Sequence, residues 1–191
     1  KSKGMLVNHF IKANKPYIPS KYEPKSSYIK NQTTDYFKNI DFSNEVLQSS
    51  NLLLDKSLIY IYSVVNKGFT EENNYSFNID QVVAKTGFTD PIFRKSFLEK
   101  MWQKFVSNDD IIVANYLAER HLIPLANQQN DTSLALKLTQ FKNLSIGNSA
   151  PDFMLDESSR KKLSTLDVAE NYILVFWSSG CSHCLKELPQ L

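Results

Sequence analysis

The stretch Tyr172–Pro189, YILVFWSSGCSHCLKELP, joins an apolar run to a pair of cysteines and decides how the C-terminal part of the chain is interpreted. The run Tyr172–Trp177 is rich in β-branched and aromatic residues, which is typical of a strand buried on both faces. A small-residue break at 178–180 allows a tight turn, and helix-compatible residues follow it. Cys181 and Cys184 are therefore predicted to lie in the first turn of a helix at the end of a central strand.

This placement favours a reactive sulfur at Cys181. Unpaired backbone N–H groups and the positive end of a helix dipole favour a thiolate over a thiol, and the thiolate is the attacking species in disulfide exchange. Cys184, one helical turn on, is close enough to pair with Cys181 or to resolve a mixed disulfide formed there. His183, if protonated or donating a hydrogen bond, would stabilise the thiolate further and make the pair a stronger oxidant.

A C-x-x-C motif alone leaves other interpretations open. Zinc needs about four ligands, and the other soft candidates, His9 and His121, lie far away in the sequence. Covalent haem attachment requires a histidine directly after the second cysteine, where this chain has Leu185. A metal site and an inert structural disulfide remain alternatives to redox chemistry, which the strand–turn–helix setting favours. No metal or organic cofactor is expected.

Several further features accompany the cysteine pair in residues 146–191. They are Gly147-Asn-Ser-Ala-Pro-Asp-Phe153, Met154–Asp156, Leu163-Ser-Thr-Leu166, the apolar run, and Cys181-Ser-His-Cys184 followed by Leu185-Lys-Glu-Leu-Pro189. Together they resemble the opening of a thioredoxin-like domain of the TlpA/ResA type, a family of thiol–disulfide oxidoreductases of the bacterial envelope. The combination of an A-P-D-F entry, a strand ending in F-W, and C-x-x-C followed by E-x-P is specific to this type.

The resemblance implies roles for individual residues. Cys181 would be the nucleophile, Cys184 the resolving cysteine, and Glu187 an acid that tunes the pair or relays its protons; Pro189 falls where the family bends this helix. The implied partners are protein thiols or disulfides and an upstream membrane or periplasmic electron donor or acceptor. The implied location is the periplasm or cell envelope.

Two departures from the family pattern affect these expectations. Gly180 stands where the family usually has tryptophan or another bulky residue, so the substrate-facing surface is expected to be flatter. A complete thioredoxin-like fold also needs further strands, a closing helix and a cis-proline loop, and we expect the chain to be truncated after the C-x-x-C helix. A homo-oligomer through the incomplete sheet edge would cover the exposed strand.

The bulk composition is ordinary for a soluble globular chain. The chain has 191 residues, of which 42% are hydrophobic and 22% charged, and its net charge is +2. So small a charge gives no argument for nucleic-acid binding. No run of about 20 apolar residues occurs, so no transmembrane segment is predicted.

The sequence before residue 146 divides into two parts. Residues 1–31 contain three prolines between Pro16 and Pro24, and they are predicted to form an extended arm or linker after a short helical lead at Met5–Lys12. Residues 32–145 show apolar positions at three- and four-residue steps, which predicts an antiparallel helical domain. Helices are predicted to begin at Ser43–Glu45, Asp90–Pro91, Asp109 and Asp131, and a short helix is predicted over Asn78–Lys85.

The overall expectation is an α+β chain with a helical domain, 32–145, followed by the first part of a thioredoxin-like α/β domain, 146–191. The aromatic stripe through Phe97, Trp102 and Phe105 is interpreted as core, and His121 as a residue that caps a helix end. The alternative to an oxidoreductase is an inactive fragment whose helical domain is a protein-interaction module. A peroxiredoxin is disfavoured because no Thr-x-x-Cys context occurs.

Overall fold

The chain is α+β in a computed structural model, which describes residues 5–146, 148–149, 151–156 and 160–190. It is mostly helical, and the described residues contain one small antiparallel sheet of two strands. Two compact units are present, Lys1–Asn148 and Ser149–Leu191. No helix in the described ranges is long and apolar enough to cross a membrane.

The first unit consists of helices joined by short turns. Their bounds are α1 Val7–Ala13, α2 Lys25–Thr34, α3 Glu45–Gln48, α4 Leu52–Ser63, α5 Glu71–Lys85, α6 Pro91–Ser107, α7 Ile111–Leu117, α8 Ile123–Gln128 and α9 Thr132–Asn143. A π-helical turn, Ala118–Leu122, makes α7 and α8 continuous.

Side-chain caps fix where the longer helices begin. Asp90 accepts hydrogen bonds from the backbone N–H groups of Ile92 and Phe93, at 2.9 and 3.0 Å, and Pro91 occupies the first turn. Asp131 accepts from the N–H of Leu134 at 3.1 Å. Each carboxylate satisfies an N–H that has no partner within its helix. Both predicted starts are confirmed.

The core of this unit is built largely around α6. Its residues Phe97, Trp102 and Phe105 are buried, which confirms that the aromatic stripe is core. Phe97 packs edge-on against Phe42, and Trp102 against Phe141. Aromatic pairs of this kind contribute contact energy beyond the area they bury.

A set of buried asparagines joins α4 to α5. The Nδ2 of Asn78 donates to the carbonyls of Ile61 and Val64, at 3.0 and 2.8 Å, and the Nδ2 of Asn74 donates to the Val64 carbonyl at 2.7 Å. Asn66 donates through its side chain to the Oδ1 atoms of both asparagines. These bonds supply partners to carbonyls at the C-terminal end of α4, where a helix leaves its own carbonyls unpaired. Helix α5 begins at Glu71, before the predicted start at Asn78, and the Thr70 hydroxyl caps it by accepting from the N–H of Asn73 at 3.3 Å.

The helix over residues 111–128 passes through Pro124 without ending there. The N–H of Ile123 donates to the carbonyl of Ala118, five residues earlier, in the π-helical turn. A proline ring clashes with the carbonyl four residues before it and supplies no N–H. The wider π turn just before Pro124 accommodates the ring, and the helix continues.

The N-terminal arm also differs from its prediction. Helix α1 confirms the short helical lead, but residues 25–31, where an extended segment was expected, belong to helix α2. Pro24 is the N-cap of α2, with extended backbone angles (φ −57°, ψ 148°). The prolines end at this position, so nothing blocks helix formation after it.

The second unit begins with a hairpin of β1, Met154–Asp156, and β2, Lys161–Lys162. Asp152 fixes the chain that follows, because its carboxylate accepts from the N–H of Ser164 at 3.0 Å and from the Ser164 hydroxyl at 2.9 Å. A 3₁₀ turn follows at Leu163–Thr165. Residues 157–159, between the two strands in sequence, lie outside the described part.

The predicted central strand at Tyr172–Trp177 is wrong. The segment has no strand partner among the described residues, and its side chains are exposed, from 39% at Tyr172 to 90% at Ile173. A strand needs a neighbouring ladder, and a buried strand also needs layers on both faces. The only sheet within the described residues is the β1–β2 hairpin, which does not pair with this segment.

Candidate functional site

The cysteine pair lies at the start of a short helix in the second unit, α10, Ser182–Glu187. Cys181 is its N-cap residue, and the N–H of Cys184 donates to the Cys181 Sγ at 3.2 Å. The N–H of Cys181 donates to the Ser178 carbonyl at 3.0 Å, which closes the turn leading into the helix. The sulfur therefore occupies the position where serine or aspartate oxygens usually cap a helix.

The two cysteines are joined as a disulfide, with their Cα atoms 5.3 Å apart. Both residues are partly buried and partly exposed. The predicted turn and helix are present here, although the strand before them is not. A solvent-accessible disulfide at a helix N-terminus is a setting in which thiol exchange can occur.

The other predicted site residues are exposed. His183 and Glu187 make no side-chain hydrogen bond to another residue in the described part of the chain. Helix α10 ends at Glu187, and a 3₁₀ turn, Leu188–Gln190, contains Pro189. His183 lies in the first turn of α10, and Glu187 is the last residue of that helix. The roles of both residues stay predictions.

The other histidines have local partners in the first unit. His9 Nδ1 lies 2.9 Å from the Asn44 Nδ2, and His121 Nε2 lies 2.6 Å from the Asp80 Oδ1. No group of three or more histidine, cysteine, aspartate or glutamate residues is placed to hold a metal ion within the ranges that the structure describes.

His121 belongs to a polar cluster that its sequence neighbourhood did not predict. It lies in the π-helical turn, in the middle of the 111–128 helix, so the expectation that it caps a helix end is wrong. Asp80 of α5 accepts from the Tyr116 hydroxyl at 3.0 Å and pairs with His121 through its other oxygen. Burial and the bond to Asp80 raise the pKa of Tyr116. The cluster joins α5 to the π turn, and only the tertiary fold brings its members together.

Comparisons with known proteins identify no relative of this chain. No protein-family model matches the sequence, and neither curated proteins nor solved structures give a significant match. The resemblance of residues 146–191 to a thioredoxin-like domain therefore stays a prediction.

Proposed function

We propose that Cys181 and Cys184 carry out thiol–disulfide exchange with protein substrates. The observation that supports this best is the hydrogen bond from the Cys184 N–H to the Cys181 Sγ. A donor aimed at sulfur stabilises the thiolate relative to the thiol, since hydrogen bonding to the charged form favours that form. The disulfide between the two residues supplies the partner that such chemistry requires.

The exchange proceeds in two steps when the pair acts as oxidant. A substrate thiolate attacks the Cys181 sulfur, the Cys181–Cys184 bond breaks, and Cys184 leaves as a thiolate. A second substrate thiolate then attacks the substrate sulfur of the mixed disulfide and releases Cys181. The substrate gains a disulfide and the pair gains two electrons; the same steps run backwards when the pair reduces a substrate.

His183 and Glu187 have supporting roles in this proposal. His183 sets the balance between the dithiol and disulfide forms by stabilising the Cys181 thiolate, and Glu187 relays protons to and from the pair. The resemblance to envelope thioredoxin-like proteins supports a periplasmic or cell-envelope location and an electron donor or acceptor there.

Trapping of a mixed disulfide tests the proposal. Cys184→Ser leaves the nucleophile but removes the resolving thiol, so a disulfide-bonded peptide offered to it is expected to stay attached to Cys181. Cys181→Ser, the matched control, keeps one thiol in the same short helix and is expected to trap little peptide. Equal trapping by both variants, or trapping only by Cys181→Ser, would contradict the assignment of Cys181.

A further inference from the structure

A groove of about 610 Å³ lies in the first unit where the N-terminal ends of α5 and α7 approach each other. One part of its lining is acidic, and the other part is apolar. The acidic residues are Glu71, Glu72, Asp109 and Asp110, and the apolar ones are Ile111, Ile112, Val113 and Ile146. Tyr75 and Asn115 complete the lining.

The acidic charges of the groove are not neutralised by a cation of its own lining, which contains no lysine, arginine or histidine. Glu71 accepts a hydrogen bond from the Tyr75 hydroxyl at 2.7 Å, and Asp110 accepts from the hydroxyl of Tyr62. Hydroxyl donors hold the carboxylates in place without cancelling their charge. Acids at helix N-termini stabilise the helix dipole, which accounts for their presence but not for the apolar surface beside them.

The apolar side of the groove is unusually open to solvent for aliphatic residues. Ile112 is 61% exposed, and Ile146 is fully exposed. Next to them the Oδ1 of Asn115 is buried and has no hydrogen-bond partner within the described residues. Exposed aliphatic surface bordered by charge of one sign is typical of an interaction site.

We propose that this groove binds a partner protein through an extended segment in which lysine or arginine residues flank an aliphatic side chain. Charge complementarity selects the basic residues, since four carboxylates face a cavity that has no cation in its lining. The isoleucines provide an apolar surface for the aliphatic side chain, and the volume suits a short peptide segment rather than a whole protein face. The proposal does not depend on the cysteine pair.

The experiment compares three synthetic probes on the full chain by fluorescence anisotropy. The first alternates lysine and leucine over five residues, the second has glutamate for each lysine, and the third has serine for each leucine. The lysine–leucine peptide is expected to bind best, and its affinity is expected to fall about tenfold between about 20 mM and about 200 mM salt, because exposed charges are screened.

Paired substitutions then locate the binding. Glu72→Gln with Asp109→Asn removes two charges, and neither side chain makes a hydrogen bond or ion pair within the described residues that the change would break. Asp109 has φ of 63°, a conformation that asparagine also tolerates, so the turn is kept. This double variant is expected to weaken binding about tenfold, and Ile112→Ser is expected to weaken it as well. The matched control, Glu45→Gln with Asp55→Asn, changes charge by the same amount outside the groove lining and is expected to bind like wild type.

Three results would overturn the proposal. One is no preference for the lysine–leucine peptide over the glutamate or serine probes. Another is equal loss of binding in the groove and control variants, which would mean only general charge attraction. The third is self-association, seen by sedimentation and abolished by the groove variant, which would assign the groove to a contact between two copies of this chain.

Discussion

Replacing Asn78 by alanine tests the buried asparagine network that joins α4 to α5. Asn78 is fully buried, and its side chain donates to the carbonyls of Ile61 and Val64 and accepts from Asn66. Alanine removes the hydrogen bonds to both carbonyls. Of the two, only the Val64 carbonyl keeps another side-chain donor, the Nδ2 of Asn74. A buried carbonyl left without its partner costs about 1–3 kcal/mol.

The expected total for Asn78→Ala is a loss of about 2–4 kcal/mol in the free energy of unfolding, because the substitution also leaves a cavity. A domain of ordinary stability has about 5–15 kcal/mol in all, so the effect is large. Urea unfolding, followed by circular dichroism at the helix band, measures this loss. If the slope of the unfolding free energy against urea concentration is the same in the variant and the wild type, both undergo the same transition.

Asn73→Ala is the matched control, since Asn73 lies on the same helix but is exposed. Its cost is expected to stay within about 0.5 kcal/mol. A loss below about 1 kcal/mol for Asn78→Ala, or equal losses for the two variants, would refute the argument that these side-chain amides stabilise the end of α4.

The remaining predictions concern carboxylates. Asp90→Ala should cost about 1 kcal/mol of stability, and Asp90→Asn much less, because asparagine also caps helices. The hydrogen bond from Lys95, at 2.5 Å, lowers the pKa of Asp131, and Lys95→Met should raise that pKa in an NMR titration. Hydrogen bonds from the Ser164 N–H and hydroxyl lower the pKa of Asp152, and Ser164→Ala should raise it only part of the way, since the N–H remains.

The sign of the pH dependence follows from these directions. Asp131 and Asp152 have lower pKa values in the folded chain than the ordinary 3.8, so the unfolded chain binds protons more readily. Their contribution to stability is complete above the unfolded pKa and is lost as the pH falls through the folded values. Equal stabilities of Asp90→Ala and Asp90→Asn would contradict the capping argument. An Asp131 pKa that Lys95→Met leaves unchanged, or an Asp152 pKa that Ser164→Ala leaves unchanged, would contradict the stated causes of these pKa shifts.

Local signals in the sequence predicted the parts of the fold that depend on neighbours in the chain. Asp90 followed by Pro91, and Asp131 before an apolar pattern, predicted helix starts because a cap bonds to N–H groups only two or three residues ahead. The early start of α5 was missed although it has a local signal of the same kind, since Thr70 caps the helix and the acidic residues Glu71 and Glu72 lie in its first turn.

The same distinction holds for the candidate site, where the local elements were predicted and the strand was not. The turn and helix around Cys181 depend on nearby residues and are present, and the Cys184 N–H bond follows from the helix start. The strand at Tyr172–Trp177 depends on ladder partners, and the described residues supply none. Nothing local to the sequence marks the acidic groove, since it forms only where α5 and α7 meet.

The reduction potential of the Cys181–Cys184 pair tests the central claim most directly. Equilibration of the chain in dithiol buffers, followed by alkylation and mass measurement, gives the fraction reduced at each potential. A pair that exchanges with substrates is expected between about −270 and about −120 mV, the range of catalytic dithiols, and His183→Pro is expected to lower the value. A potential below about −300 mV, typical of disulfides that resist reduction, would contradict the claim and assign the pair a structural role.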